Sequence, residues 1–313
     1  LSGIPRAGGS GCGYGRAVKG RSGGHEERTH MAENVRLKVL LTGGTGLVGR
    51  TLAPLLRATC DVTHFDVADP GDGRPVILGD LRNPHQVAEA CRGMDAVLHV
   101  AALHGKAWAA AGDDVGFAVN VCGTKNILEG AAAAGVKRVV FTSSIWATGH
   151  DAPPPPSLPI AEDLTRQPAE LYGLTKILGE QMCRYATARY GLSTLVIRPG
   201  GIRPAESYAP LQTCYLAGAV DVRDVAQAQV LALQAPDSLR HDVFIITADS
   251  PLCQVDPQAY KADPAAALER VVPGVAALVR AGRLQLPAAR EWYSVAKAKR
   301  VLGYRPQFGF ALV

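Results

Sequence analysis

The chain has 313 residues, of which 47% are hydrophobic and 19% charged, with a formal net charge of +5. That is enough apolar material for one large α/β domain, or for one domain with a smaller lobe. No run approaches the ~18 uninterrupted apolar residues of a membrane span, and no basic stripe suits nucleic acid. Seven scattered cysteines without a C-x-x-C pair read as reduced thiols in a cytoplasmic protein.

Residues 1–30 are rich in Gly, Ser and Arg and carry +3 of the net charge. Such a segment buries too little surface to offset chain entropy, so disorder is expected there, with Met31 as the natural start. Its glycines follow no strand. His25-Glu26 and His30 have the wrong spacing for a zinc helix, so no metal is expected.

From Leu37 the texture changes. Leu37 to Leu41 predicts a buried parallel strand, followed at once by TGGTGLVG (Thr42 to Gly49) and a helix over Arg50 to Leu56. Gly43, Gly46 and Gly49 are spaced G-x-x-G-x-x-G. The first two let the backbone turn and approach a pyrophosphate, and the third lets the helix pack close to the strand. Helix amides at Leu47 and Val48 then face the phosphates. Gly44 to Thr51 is one residue from a P-loop, but Arg50 stands where lysine is required.

The run Asp61 to Phe65 ends at Asp66, 17 residues after Gly49. A carboxylate there suits ribose hydroxyls and favours NAD over NADP. Further strands are expected at Pro75 to Leu78, Ala96 to Ala101, Lys137 to Thr142, Ser193 to Arg198 and Asp242 to Thr247. Helices are expected at Gln86 to Arg92, Val119 to Ala134, Leu171 to Tyr190 and Val222 to Gln234. The alternation predicts an α/β fold: a Rossmann doubly wound parallel sheet with a small C-terminal substrate lobe. The boundaries are a Rossmann domain over 31–248, with lobe segment 200–221 inserted, and the lobe proper over 249–313. Residues 263–282 read as helical with an interruption at Pro273.

Tyr172 and Lys176 stand one helical turn apart on one face. A free phenol has a pKa near ~10, so it needs a neighbouring cation to act as a base at neutral pH. Ser144, at the end of the strand KRVVFTSS, is placed to hold a substrate oxygen. Tyr293-Ser-Val-Ala-Lys297 repeats the spacing but follows no serine-bearing strand, so Tyr293 reads as structural. His104, Trp146 and Arg203 are candidate substrate contacts; Arg198 is the weaker arginine. Asn120 is expected to organise its helix and a relay water.

With glycines, acid, Ser, Tyr and Lys in this order, the chain resembles the extended short-chain dehydrogenase/reductases, the NAD-dependent epimerase/dehydratase family. The resemblance implies Ser144, Tyr172 and Lys176 as catalytic. It implies adenine contacts at Asp80 and Leu81, and nicotinamide-side contacts at Ala101, Ala102 and Pro199. It further implies a bound NAD, a sugar-type substrate and a homodimer paired through the helices at 119–134 and 171–190. Where dehydratases carry an acidic pair, this chain has Ile145 and Trp146, so dehydration is not expected. Only 21 residues separate Pro199 from Asp221, too few for a long nucleotide-gripping insertion. That compact layout is similar to uronate dehydrogenases, although no arginine occupies Tyr208 to Pro210. Reduction of a non-sugar carbonyl and a catalytically silent dinucleotide sensor stay open as alternatives.

Overall fold

A computed structural model describes residues 36–150, 155, 157–164, 166–288 and 290–312. The expectations for residues 1–30 and Met31 therefore lie outside the described residues.

Seven strands make one parallel sheet: β1 (Leu37–Thr42), β2 (Cys60–Asp66), β3 (Val76–Leu78), β4 (Ala96–His99), β5 (Arg138–Thr142), β6 (Ser193–Pro199) and β9 (His241–Ile246). Their order is β3-β2-β1-β4-β5-β6-β9. The chain reverses direction across the sheet between β1 and β4, which opens a crevice beyond their carboxyl ends. Two short strands, β7 (Gly201–Arg203) and β8 (Ala219–Asp221), pair separately.

Both faces are covered, which is why β5 and β6 are buried along their whole length. Helices α1 (Leu47–Leu55), α7 (Val222–Leu233) and α11 (Ala296–Leu302) pack on one face. Helices α2 (Pro84–Cys91), α5 (Gly123–Ala133) and α6 (Leu171–Tyr190) pack on the other. Local chemistry sets the ends. Asn83 caps α2 by accepting from the His85 and Gln86 amides at 3.1 and 3.2 Å. Gly191, at φ +68°, closes α6.

The expected helix over Val119 to Ala134 is divided. Helices α3 (Gly105–Ala111) and α4 (Asp113–Phe117) precede it, and Ala118–Cys122 is a turn of π-helix leading into α5. The C-terminal part has its own apolar cluster, with Leu216, Leu252, Tyr260, Leu268, Val275 and Trp292 among its members. Short helices α8 (Pro257–Ala262), α9 (Pro264–Glu269) and α10 (Val275–Arg280) build it, and the interruption expected at Pro273 falls between the last two. Helix α11 instead returns to the sheet, where Val295, Ala298, Leu302 and Tyr304 join the main core. Among the described residues, no helix is long and apolar enough to cross a membrane.

Candidate active site

A cavity of about 1130 Å³ opens beyond the carboxyl ends of β1, β2 and β4. Its volume exceeds the usual 300–1,000 Å³ of a small-molecule site, as a dinucleotide with a second molecule requires.

One end is built by the glycine loop. Gly43 sits at φ +76°, and a Cβ there would lie 2.7 Å from the Ala101 nitrogen. A Cβ on Gly49 would lie 2.2 Å from the Gly43 carbonyl oxygen. Both contacts exclude any side chain, so β1, the loop and α1 close on one another. The first turn of α1 begins with the Arg50 amide donating to the Gly46 carbonyl at 3.0 Å. The amides of Leu47 and Val48 precede that bond, and both residues line the cavity. Free amides at the start of a helix are suited to a phosphate.

Asp66 ends β2 with its carboxylate held in place. It accepts from the Thr45 amide and hydroxyl, each at 3.0 Å, and from the Val67 amide at 2.7 Å. A fixed negative charge there accepts ribose hydroxyls and opposes a 2′-phosphate. Asp80 and Leu81 line the same end. The Asp80 carboxyl is held below its ordinary value, first by the Arg82 side chain hydrogen-bonded to it. These residues fit NAD.

At the other end Ala101, Ala102, His104, Ser144, Trp146, Tyr172, Lys176 and Pro199 share the lining. Lys176 is buried; its ammonium donates to the Thr142 carbonyl at 2.9 Å and lies 5.7 Å from the Tyr172 ring centre. Burial pulls Lys176 down to about 8. Burial also pushes Tyr172 up to about 12, against the hydrogen bond with Ser144 that works to lower it. The protein by itself therefore keeps the phenol protonated at neutral pH.

Asn120 fastens this end together. Its side chain accepts from the Leu103 amide at 2.8 Å, donates to the Leu103 carbonyl at 2.9 Å, and reaches the Thr175 hydroxyl at 3.3 Å. It sits within the π turn Ala118–Cys122, a kind of turn often found at functional sites. His99 is fully buried beneath the loop. Thr42 Oγ1 lies 2.9 Å from its Nδ1, and Thr124 Oγ1 lies 3.1 Å from its Nε2.

Two expectations change on contact with the geometry, at Gly49 as a cofactor contact and at Arg203. Gly49 does not line the cavity; it packs behind the loop. Arg203 also lies outside the lining and borders a second, shallower pocket of about 370 Å³ with Arg283. Arg198 is committed to Glu180 through two bonds of 2.8 and 2.7 Å, and Glu180 also takes the Ser143 hydroxyl at 2.5 Å. The second Tyr-x-x-x-Lys is split. The Tyr293 hydroxyl donates to Glu291 at 2.7 Å, and Lys297 pairs with Asp242. Trp108, Asp113 and Glu170 line the cavity without having been anticipated. The alanine-rich setting of Trp108 reads as packing, and only the fold turns its ring towards Tyr172.

The profile of the NAD dependent epimerase/dehydratase family matches residues 39–203, more than half of the chain. The chain belongs to this family. A uronate dehydrogenase of Pseudomonas syringae is 30% identical over 213 residues, 66% of this chain and 74% of that protein. A 3-beta-hydroxysteroid dehydrogenase of Mycolicibacterium neoaurum is 34% identical over 177 residues, 53% of this chain and 47% of that one. Across curated relatives, the share of the relative's own length that is spanned falls as low as 40%. A solved short-chain dehydrogenase/reductase from Agrobacterium tumefaciens with bound NAD has a TM-score of 0.66 and 26% identity, covering 87% of this chain and 93% of that chain. The epimerase/dehydratase family is NAD-dependent, and NAD is the cofactor.

Proposed function

We propose that the chain oxidises or epimerises a sugar-type substrate at a carbinol carbon. The observation that carries this reading is the convergence of Ser144, Tyr172 and Lys176 in the same cavity as the glycine loop and Asp66. The uronate dehydrogenase among its relatives supports a sugar-type substrate.

When bound, oxidised NAD supplies the hydride acceptor and a positive charge. The cradle at Gly43 to Val48 and the Asp66 carboxylate bind and orient the dinucleotide. Ser144 holds the substrate oxygen. Tyr172 takes the hydroxyl proton and returns it on reversal. Lys176 places a cation beside the phenol, which favours its ionised form. Asn120 acts as a positioning residue, tying Leu103 to Thr175 one turn beyond Tyr172. Neither Ile145 nor Trp146 has a proton to give, so dehydration is not part of the proposal. The free cysteines among the described residues support a reducing, cytoplasmic setting.

The test is turnover with NAD across free sugars, sugar acids, nucleotide sugars and hydroxysteroids. Reduced cofactor is followed by absorbance, and epimers by chromatography. Tyr172→Phe is expected to lose at least ~100-fold in kcat while still binding NAD. A variant as active as the wild type would remove Tyr172 from the chemistry. A reading on a non-sugar alcohol is favoured by the steroid dehydrogenase among the relatives. The same panel separates it.

A further inference from the structure

The substrate end of the cavity has an aromatic wall. The rings of Trp108 and His104 each lie 6.2 Å from that of Tyr172, and the ring of Trp146 lies 6.5 Å from it. Trp108 is held in a built seat. Its indole N–H donates to Asp113 at 2.8 Å, and a Cβ on Gly116 would lie 2.6 Å from its ring. Trp146 leans on His150 at 5.0 Å, edge to face.

Apart from Lys176, the fixed charges lining the cavity at this wall are negative. Asp113 and Glu170 line the cavity beside it, and both are carboxylates. Two cations line the whole cavity among the described residues, apart from His104. Lys176 is spent on Thr142 and Tyr172, and Arg82 on Asp80. The internal positions outside the description (151–154, 156, 165 and 289) include no Lys or Arg. Arg198 and Arg166 face Glu180 and Glu291 instead. A substrate carboxylate or diphosphate here would stand beside two solvent-exposed carboxylates with no free cation to pair with it, which disfavours the anion. An uncharged ring with an apolar face stacks well on indole.

Resting on the oxidoreductase reading above, we propose that the substrate is an uncharged cyclic alcohol seated against Trp108 and Trp146, and that Asp113 and Glu170 select against anions. The chemistry is shared by a neutral monosaccharide and an alicyclic alcohol such as a hydroxysteroid.

The matched pair D-galactose and D-galacturonate decides the charge, because they differ only at the carboxylate-bearing carbon. UDP-galactose and a 3β-hydroxysteroid complete the panel, each run with NAD. The expected result is a kcat/KM at least ~10-fold higher for an uncharged compound than for either anion. Turnover of the steroid alone keeps the wall and assigns its source. Trp108→Leu is expected to raise KM roughly 5- to 10-fold with kcat nearly kept. Gly116→Ala, which displaces the ring without removing it, is expected to do the same. Glu170→Arg is expected to raise galacturonate turnover relative to galactose by about 10-fold. A wild-type preference for galacturonate or UDP-galactose overturns this inference and leaves the oxidoreductase reading intact. Turnover of none of the four, with no new epimer, overturns both.

Discussion

His99 is the clearest single-residue case of structure fixing a protonation state. The Ala101 amide donates to Thr42 Oγ1 at 3.1 Å, so the Thr42 hydroxyl hydrogen is directed to His99 Nδ1. Thr124 Oγ1 donates to the Asn120 carbonyl at 2.6 Å, which leaves it to accept from His99 Nε2. Every proton has a place, and a second one on the ring has none. Burial, then the Lys176 charge, pull this imidazole down to about 3. In the unfolded chain it protonates near ~6.5. Between those values the unfolded state holds more protons. The contribution is therefore complete above pH 6.5 and is lost as pH falls towards 3, by on the order of 4–5 kcal/mol. Urea unfolding from pH 7 to 4 should show the wild type losing stability more steeply than His99→Gln. Parallel curves would place the acid sensitivity elsewhere. Nothing in the string VLHVAA marks this histidine as buried and neutral; the partners come from β1 and α5, distant in sequence.

The glycine loop and the π turn show what periodicity conveys and what it hides. A short apolar run, three spaced glycines and a helix are local features, so β1, the loop and α1 were legible, although the helix starts three residues earlier than its periodicity suggests. The same holds for Ser144, Tyr172 and Lys176, whose spacing follows from one strand end and one helical turn. The π turn at Ala118–Cys122 was not legible, because it adds a residue to a helix whose apolar pattern runs on. The pair β7 and β8 was also hidden: three-residue strands carry too little alternation to stand out. For the loop, Gly49→Ala is the sharpest probe, since its Cβ would meet the Gly43 carbonyl at 2.2 Å. The loop must open to admit it. We expect NAD affinity to fall by at least ~10-fold, with a stability loss of about 1–3 kcal/mol. Calorimetric titration and thermal melting read the two effects separately. Unchanged affinity would mean that the cradle does not hold the cofactor.

At the scale of the whole molecule, the two faces of the sheet differ in what covers them. The face carrying α1 and α7 is closed by α11, which packs on β9 and α7, while Phe310 and Leu312 beyond it rejoin the C-terminal cluster. Outside the opposite face, α6 leaves Leu174, Tyr185 and Tyr190 exposed, at 37%, 58% and 43%. We propose that this helix, with the helix ending at Ala133, pairs two copies of the chain. Sedimentation at micromolar concentration should give a dimer, and Tyr185→Glu should give monomers. A monomeric wild type would rule out this pairing.

Gly116 has a bearing on how such a site diverges. The ring of Trp108 rests where Gly116 has only a hydrogen, and every other amino acid is larger. Change at this position has one direction: a side chain there displaces the indole, and no replacement lets the ring sink deeper. Widening the site requires losing the tryptophan itself. The seat of one wall of the proposed substrate chamber is thus set by a residue that has no side chain and does not line the cavity.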